Sequence, residues 1–436
     1  MQTNANDSLH LVVLDPGHFH AALVQKSMYP EMSPVVNVYA PGGKEVEDYL
    51  GLIRKYNSQA DQPTHWEEKV YTGPDYLDKM LGDKAGNLVI IAGNNREKTR
   101  YIKKAVDAGI HVLADKPMAI DSAGFRLLES AFADAKQHGV LLYDIMTERY
   151  EITNVLQKAC TQLGIFGTLE NGTEKDPSVI SESVHYFYKE VSGDTLTRPA
   201  WYYDVTQQGD GIVDVTTHLI DLIQWELFSG TSPDYHRDVQ VHSARRWPTH
   251  ITPEQFTRST HVDAYPQFLR TAVRDSILEV YANGEINYSL RGVHARVGVR
   301  WDFQAPPGSG DTYYSRIRGS KADLVIRQDK ASGYRPALFI ELRHPPEEKE
   351  ALTLTQEFSA IQKKYPGVTL KKQDDKSWEV VIPAQYRLGH EAHFALVMKK
   401  YLEYLKAGKM PEWETAAMLT KYYITTRALS IAQTTE

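Results

Sequence analysis

The sequence predicts an α/β protein in two parts: a parallel sheet with helices between its strands, then a domain built mainly on antiparallel strands. Three observations predict this. The chain has 436 residues, too many for one ordinary core, so two domains are expected. Through the first third, short apolar runs alternate with helical patterns, as right-handed β-α-β crossovers require. From Asp238 to Leu342 the pattern turns mostly to strands. The division is placed between residues 148 and 149, giving parts 1–148 and 149–436.

In the first part, Leu9 to Leu14 is an apolar strand, and Asp15-Pro16-Gly17-His18-Phe19-His20 is a tight turn before a helix from Ala21 to Tyr29. A strand from Val35 to Tyr39 ends at Ala40-Pro41-Gly42-Gly43, and a helix from Glu45 to Tyr56 follows. Leu88 to Ala92 is a strand stopped by Gly93-Asn94-Asn95, and Glu97 to Ala108 is helical up to Gly109. His111 to Ala114, a helix from Asp121 to His138 and a strand from Val140 to Tyr143 complete this part. A parallel sheet binds ligands beyond the carboxyl ends of its strands. Asp15, Gly17, Asn94, Asn95 and Lys116 are expected on that edge.

Asp115-Lys116-Pro117 follows a buried strand directly. Desolvating an ammonium is costly and lowers its pKa, so a lysine here can exchange protons near neutral pH. Pro117 keeps Lys116 extended and permits a cis bond. Alone, the tripeptide also fits a surface turn. The first turn keeps only the middle glycine of G-x-G-x-x-G, with Asp15 and His20 at the outer positions. Tyr39-Ala40 offers no acid for an adenosine ribose.

In the second part, Arg149 to Leu163 is an amphipathic helix with Cys160 on its apolar face, a core position rather than a nucleophile. Trp201-Tyr202-Tyr203-Asp204 and Gln207-Gln208-Gly209-Asp210-Gly211 precede a helix running to Phe228. Asp214 and His218 are four apart and share a helical face, so a carboxylate can orient an imidazole and raise its pKa; a solvated polar face is the plain alternative. Strands are expected at 238–245, 276–282, 285–291, 297–303 and 313–319, with Ala282-Asn283-Gly284-Glu285 as a hairpin turn. Pro345–Lys349 and Gln373–Lys376 read as charged loops, and helices 391–407 and 412–432 end the chain. His390 and His393 are one turn apart, but the spacing is not H-E-x-x-H and no third ligand is indicated, so no metal site is expected.

Hydrophobic residues at 42% and charged residues at 24% describe a globular protein. A net charge of −7 and a pI near 6.2 argue against nucleic-acid and anionic-membrane partners, and no apolar run spans a bilayer. A lone cysteine excludes an intrachain disulfide. Met1 to Ser8 is polar and lacks a secretory core, so a cytoplasmic location is expected. The 26 tyrosines and 7 tryptophans suit sugar-like ligands as well as ordinary packing.

Ala105-Val106-Asp107-Ala108-Gly109-Ile110-His111-Val112-Leu113-Ala114-Asp115-Lys116-Pro117 resembles the helix, strand and E-K-P motif of the glucose–fructose oxidoreductase, inositol dehydrogenase and rhizopine-catabolism family (Gfo/Idh/MocA), with Asp115 for the glutamate. Gly209-Asp210-Gly211 through Asp214 and His218 resembles its glycine-rich D-x-x-x-H motif, in the family's order. The resemblance spans Leu9 to Phe228. Beyond Val239 the chain is similar to a divergent bacterial subgroup.

The resemblance implies an N-terminal Rossmann domain binding NAD or NADP, NAD preferred, and a C-terminal α/β domain with a large, mainly antiparallel open sheet. It implies an oxidoreductase acting on a CH–OH group of a sugar, polyol or related small carbohydrate. Lys116, His218 and Asp214 become the catalytic candidates. Gly17, His18, Phe19, Asn94, Asn95, Asp115, Lys116 and Pro117 become cofactor-binding candidates. Lys116, Arg149, Tyr203, Asp214 and His218 become substrate-binding candidates. A homo-oligomer follows by analogy of fold. Two other functions fit the same fold: redox-neutral glycoside processing with a retained cofactor, and a non-catalytic sensor similar to a yeast galactose-pathway repressor.

Overall fold

The computed structural model describes residues 9–191 and 194–435, and the polar start Met1–Ser8 lies outside them. The chain divides into two compact units. One comprises residues up to Thr147 with Thr206–Gly209 and Gly389–Tyr422; the other comprises Glu148–Val205, Asp210–Leu388 and the residues from Tyr423 onward. The chain first passes from one unit to the other between Thr147 and Glu148, and two later segments return to the first unit.

In the first unit, β1 (Leu11–Leu14), β2 (Val35–Ala40), β3 (Glu67–Thr72), β4 (Leu88–Ile91), β5 (His111–Asp115) and β6 (Leu142–Ile145) form one sheet in the order β3-β2-β1-β4-β5-β6. Every pairing is parallel. The inner strands β1 and β4 are buried throughout, which is why they read as unbroken apolar runs. β3 escapes sequence reading because it is an exposed edge, Glu67-Glu68-Lys69-Val70-Tyr71-Thr72; charged side chains protect such an edge from further pairing. Helices Lys44–Ser58, Tyr76–Asp83, Asn95–Asp107 and Ser122–His138 cross between strands. The helix expected from Ala21 to Tyr29 is shorter: one turn, His20–Leu23, then a 3₁₀ turn, Val24–Lys26.

The returning segment carries the helix His390–Ala407 and most of the first half of Glu412–Thr434. Tyr401 donates its hydroxyl to the carbonyls of Leu141 (2.7 Å) and Val112 (3.0 Å), and its ring stacks on Tyr143 at 5.7 Å. Lys421 Nζ lies 2.7 Å from Asp144 of β6, with both side chains fully buried, and the Tyr422 hydroxyl donates to the same carboxylate at 2.8 Å. These bonds satisfy polar groups that burial would otherwise leave costly.

The second unit holds β7 (Val179–Tyr188), the small pair β8 (Glu190–Val191) and β9 (Asp194–Thr195), β10 (Val239–Ile251), β11 (Val273–Arg274), β12 (Ile277–Leu290), β13 (Val293–Gln304), β14 (Thr312–Arg318), β15 (Ala322–Gln328), β16 (Ala337–Leu342), β17 (Thr369–Lys372) and β18 (Ser377–Val381). The large sheet runs β10-β12-β13-β7-β14-β15-β16-β18-β17, with β11 on β12. It is antiparallel except where β13 meets β7.

The hairpin expected at Asn283-Gly284 is absent. β12 runs straight through, with Gly284 opposite Arg246 on one side and Val299 on the other. The glycine serves a close approach, since a Cβ there would come within 2.7 Å of Ile212. The Asn283 amide donates to Trp247 O and Thr249 Oγ1 and accepts from Trp301 N, so a turn-like residue stitches three strands. The hairpin turn is at Arg291-Gly292, both with positive φ, as a twisted two-residue connection favours. Helix Ile152–Cys160 is shorter than its periodic pattern, and Cys160 is a core residue whose thiol burial pushes up to about 12. Helix Glu348–Lys364 was not anticipated, and the charged loop expected at Pro345–Lys349 overlaps only its first two residues. Among the described residues no helix is long and apolar enough to cross a membrane.

Candidate active site

In the first unit the strand order reverses at β1, between β2 and β4. The crevice beyond the carboxyl ends there is where sheets of this type bind ligands. The Asp15–His20 turn lies across that edge: Asp15 N donates to Tyr39 O (2.8 Å) and His18 N to Ala92 O (3.1 Å). Gly93 makes this possible, because a Cβ there would sit 2.3 Å from Asp15 O. The glycine that the turn needs thus comes partly from the end of β4. Asp15 has φ of 48°, a left-handed conformation that Asp tolerates better than most residues. Burial pushes its carboxyl up, and the Tyr101 hydroxyl donates to it at 3.0 Å.

His20 Nδ1 lies 2.9 Å from Asp115 Oδ2, and His18 Nδ1 lies 3.9 Å from the same oxygen. The His20 ring also packs on Phe394, 4.7 Å between centroids. Burial acts to raise the Asp115 pKa, but His20, its hydrogen bond, Lys98 and His18 outweigh it and hold the carboxyl well below the usual range. Lys98, almost fully buried on the helix after β4, hydrogen-bonds Asn95; sequence reasoning missed it, although a lysine on the inward face of an amphipathic helix was a visible signal.

Lys116 is half-buried just past β5, and the Lys116–Pro117 bond is cis. Its backbone N–H donates to Asp115 Oδ1 (3.0 Å), while Thr99 Oγ1 donates to Met118 O, so both flanks of Pro117 are fixed. Asn94 caps the helix Asn95–Asp107 through Arg96 N and donates to Gln207 at 2.7 Å; Asn95 donates to Gln208 O at 2.7 Å. Their side-chain amides thus hold segment 206–209 at this sheet edge.

In the second unit, Gly211 and Gly284 let the turn before the His218 helix lie directly on β12: a Cβ on Gly211 would meet Ala282 O at 1.8 Å. Arg246 pairs with Asp210 at 2.7 Å and covers the Tyr281 ring. The helix begins at Thr216, two residues after Asp214; Asp214 is buried and His218 half-buried. The guanidinium of Arg149, expected toward substrate, forks onto Asp221 at 2.6 and 2.7 Å, both side chains buried. It fastens the chain after β6 to this helix.

Tyr203 is a correction. Only 1% of it is exposed, its hydroxyl bonds Ser259, and its ring stacks on Phe187 at 5.0 Å. It is a core aromatic and cannot touch a substrate in this conformation.

A polar cluster that sequence reasoning missed lies on the face of β7 shared with Phe187. His185 Nε2 is 3.0 Å from Ser183 Oγ, and His185 Nδ1 is 3.2 Å from Asp311 Oδ2. Lys189 Nζ reaches that oxygen at 2.6 Å, and Trp301 flanks the imidazole at 5.2 Å. Burial acts to raise the Asp311 pKa, but His185 and Lys189 bring it down to about 2. Phe187, one alternation further along the strand, shares a buried cluster with Val215 in the turn before His218. The 126 positions between His185 and Asp311 hide this pairing in the sequence.

Comparison with known proteins gives two family models: "Oxidoreductase family, NAD-binding Rossmann fold" over residues 16–143, and "Putative oxidoreductase C terminal domain" over residues 156–433. A solved structure described as a "putative oxidoreductase" from Parabacteroides merdae is 51% identical, with a TM-score of 0.97 over 98% of each chain. A 3-ketoreductase from Actinomadura kijaniata, solved with NADP and TDP-benzene, is 14% identical with a TM-score of 0.58 over 98% of each chain. A levoglucosan dehydrogenase in complex with NADH is 13% identical with a TM-score of 0.60 over 98% of each chain. These last two share the fold. No curated protein sequence matches.

Proposed function

We propose that this chain, which belongs to the Gfo/Idh/MocA oxidoreductase family and carries its NAD-binding Rossmann domain, interconverts a CH–OH group and a ketone or aldehyde on a sugar, polyol or related small carbohydrate. The observation that carries this is Lys116, half-buried at the carboxyl end of β5 in a sheet with the strand order of dinucleotide-binding folds. Two solved proteins of the same fold, a 3-ketoreductase and a levoglucosan dehydrogenase, are named for such chemistry.

The residues at the sheet edge fit a dinucleotide. The turn is drawn tight against Gly93, where a Cβ would intrude, and burial pushes the Asp15 carboxyl up against the opposing hydrogen bond from Tyr101. Gly17, His18, Phe19, Asn94, Asn95, Asp115, Lys116 and Pro117 would hold the cofactor. NAD is proposed over NADP, and the mass of the dinucleotide that co-purifies decides between them. When bound, the nicotinamide supplies the hydride chemistry. Lys116 and His218 take up or return the hydroxyl proton, and Asp214 orients the substrate or His218. His185, held by Asp311 and Ser183, is proposed as a further hydroxyl-binding group. Placed acid–base groups of this kind contribute roughly 10²–10⁴-fold.

Mass spectrometry of the denatured purified protein should reveal NAD, and nicotinamide absorbance should change with a member of a sugar and polyol panel. Lys116→Ala and His218→Ala should each lower turnover by roughly 10²-fold or more. Turnover unchanged in both variants would overturn the assigned roles.

A further inference from the structure

We propose that His18, His20 and Asp115 form a binding site for one divalent transition-metal ion, with zinc the best match. The turn that lost its outer glycines has gained a His-Phe-His sequence, and the fold delivers it to the end of β5. One ligand atom from each of the three residues lies within 4.8 Å of the others. Tetrahedral zinc with bonds near 2.0–2.1 Å places neighbouring ligand atoms about 3.3 Å apart. The distances from Asp115 Oδ2 to His20 Nδ1 (2.9 Å) and His18 Nδ1 (3.9 Å) bracket that value, and closing on an ion would exchange the 3.5 Å contact that His18 Nδ1 accepts from His20 N for a metal bond. Two imidazoles and one carboxylate form a donor set that suits zinc and its neighbours better than magnesium or calcium.

The ligands are preorganised. The side chains of His18, His20 and Asp115 are only 17%, 13% and 7% exposed. Asp115 Oδ1 accepts from Lys116 N at 3.0 Å, which turns Oδ2 toward both rings; such outer-sphere bonds fix ligand orientation in metal sites. The His20 ring packs against Phe394 and His390, at 4.7 and 5.7 Å. Three protein ligands leave a coordination position open for an exchangeable fourth. The site shares His18 and Asp115 with the residues proposed to hold the dinucleotide, so zinc and NADH are titrated separately to tell the two assignments apart.

The test is titration calorimetry of EDTA-stripped full-length protein with zinc chloride, with zinc content measured after dialysis. Wild type should bind one equivalent. His18→Gln and Asp115→Asn should each weaken binding at least about 10–100-fold, while His242→Gln in the second unit should leave it unchanged. Circular dichroism confirms that each variant is folded, and His20→Gln provides another ligand variant should one of the others not fold. No zinc uptake by wild type, or equal uptake by the ligand variants, overturns the proposal. NADH titration of the same samples keeps the two assignments apart. Protein that binds NADH but no zinc removes only the metal site, and protein that binds zinc but no NADH removes only the dinucleotide assignment.

Discussion

Replacing Lys421 by Met should destabilise the first unit sharply. Lys421 and Asp144 are both fully buried with their charges 2.7 Å apart. The Met side chain is close in length, so the packing loss is small and the electrostatic loss dominates. The carboxylate left behind keeps the Tyr422 hydroxyl at 2.8 Å but no longer has the ammonium. Breaking such a pair from one side costs about 3–5 kcal/mol, because a buried charge is left uncompensated. A kilocalorie shifts the melting point of a domain this size by about 2–4 °C, so Lys421→Met should melt roughly 6–20 °C lower. The double variant Asp144→Leu/Lys421→Met removes both charges and should recover most of that loss. Differential scanning calorimetry at neutral pH reads all three proteins. A single variant within 1 kcal/mol of wild type, or a double variant no better than the single, would refute the argument.

Three further outcomes are expected. Burial pushes the Glu226 carboxyl well above its ordinary value of 4.5, with Lys158 opposing weakly. Its stabilising protonated form is complete below that value and is lost as pH rises through the folded one. Glu226→Gln should therefore gain melting temperature over wild type increasingly with pH, and a gap constant with pH would contradict this. Gly211→Ala puts a methyl 1.8 Å from the Ala282 carbonyl; it should shift the turn before His218 and lower kcat/KM about 10²-fold, whereas near-normal kinetics would show that the turn relaxes freely. His185→Ala should raise KM about tenfold, the worth of one hydrogen bond near 1.4 kcal/mol, with kcat little changed; a fall in kcat alone would place His185 elsewhere in the chemistry.

Much of the fold was legible because burial writes itself into the sequence. β1, β4 and β5 are inner strands and appear as apolar runs, and Gly109 and Gly139 punctuate their helices with positive φ. β3 was not legible, since an exposed edge carries no hydrophobic signal. Asn283-Gly284 misled because the same dipeptide serves a reversal in one context and a close approach in another. The return of Gly389–Tyr422 to the first unit could not be read, because Tyr401 and Lys421 are recognisable only beside Val112 and Asp144. Among the candidate residues, Lys116, Asp214 and His218 stood out through their local motifs. Tyr203 misled because an aromatic cluster looks the same whether it faces ligand or core. Asp311 and Lys98 act through partners that only the folded chain supplies.

The return of the C-terminal segment also orders events in time. Asp144 of β6 emerges from the ribosome 278 positions ahead of Tyr422. At 5–20 residues per second that interval is roughly 14–56 s. For most of it the Leu141 and Val112 carbonyls lack Tyr401, and the Asp144 carboxylate lacks Lys421. The sheet that comes first in the sequence is thus among the last structures to be finished. A gene fragment ending near residue 148 would encode the whole parallel sheet and still lack the segment that covers β6. Such a fragment should be a chaperone client rather than a stable domain, and supplying residues 389–422 in trans should be what rescues it.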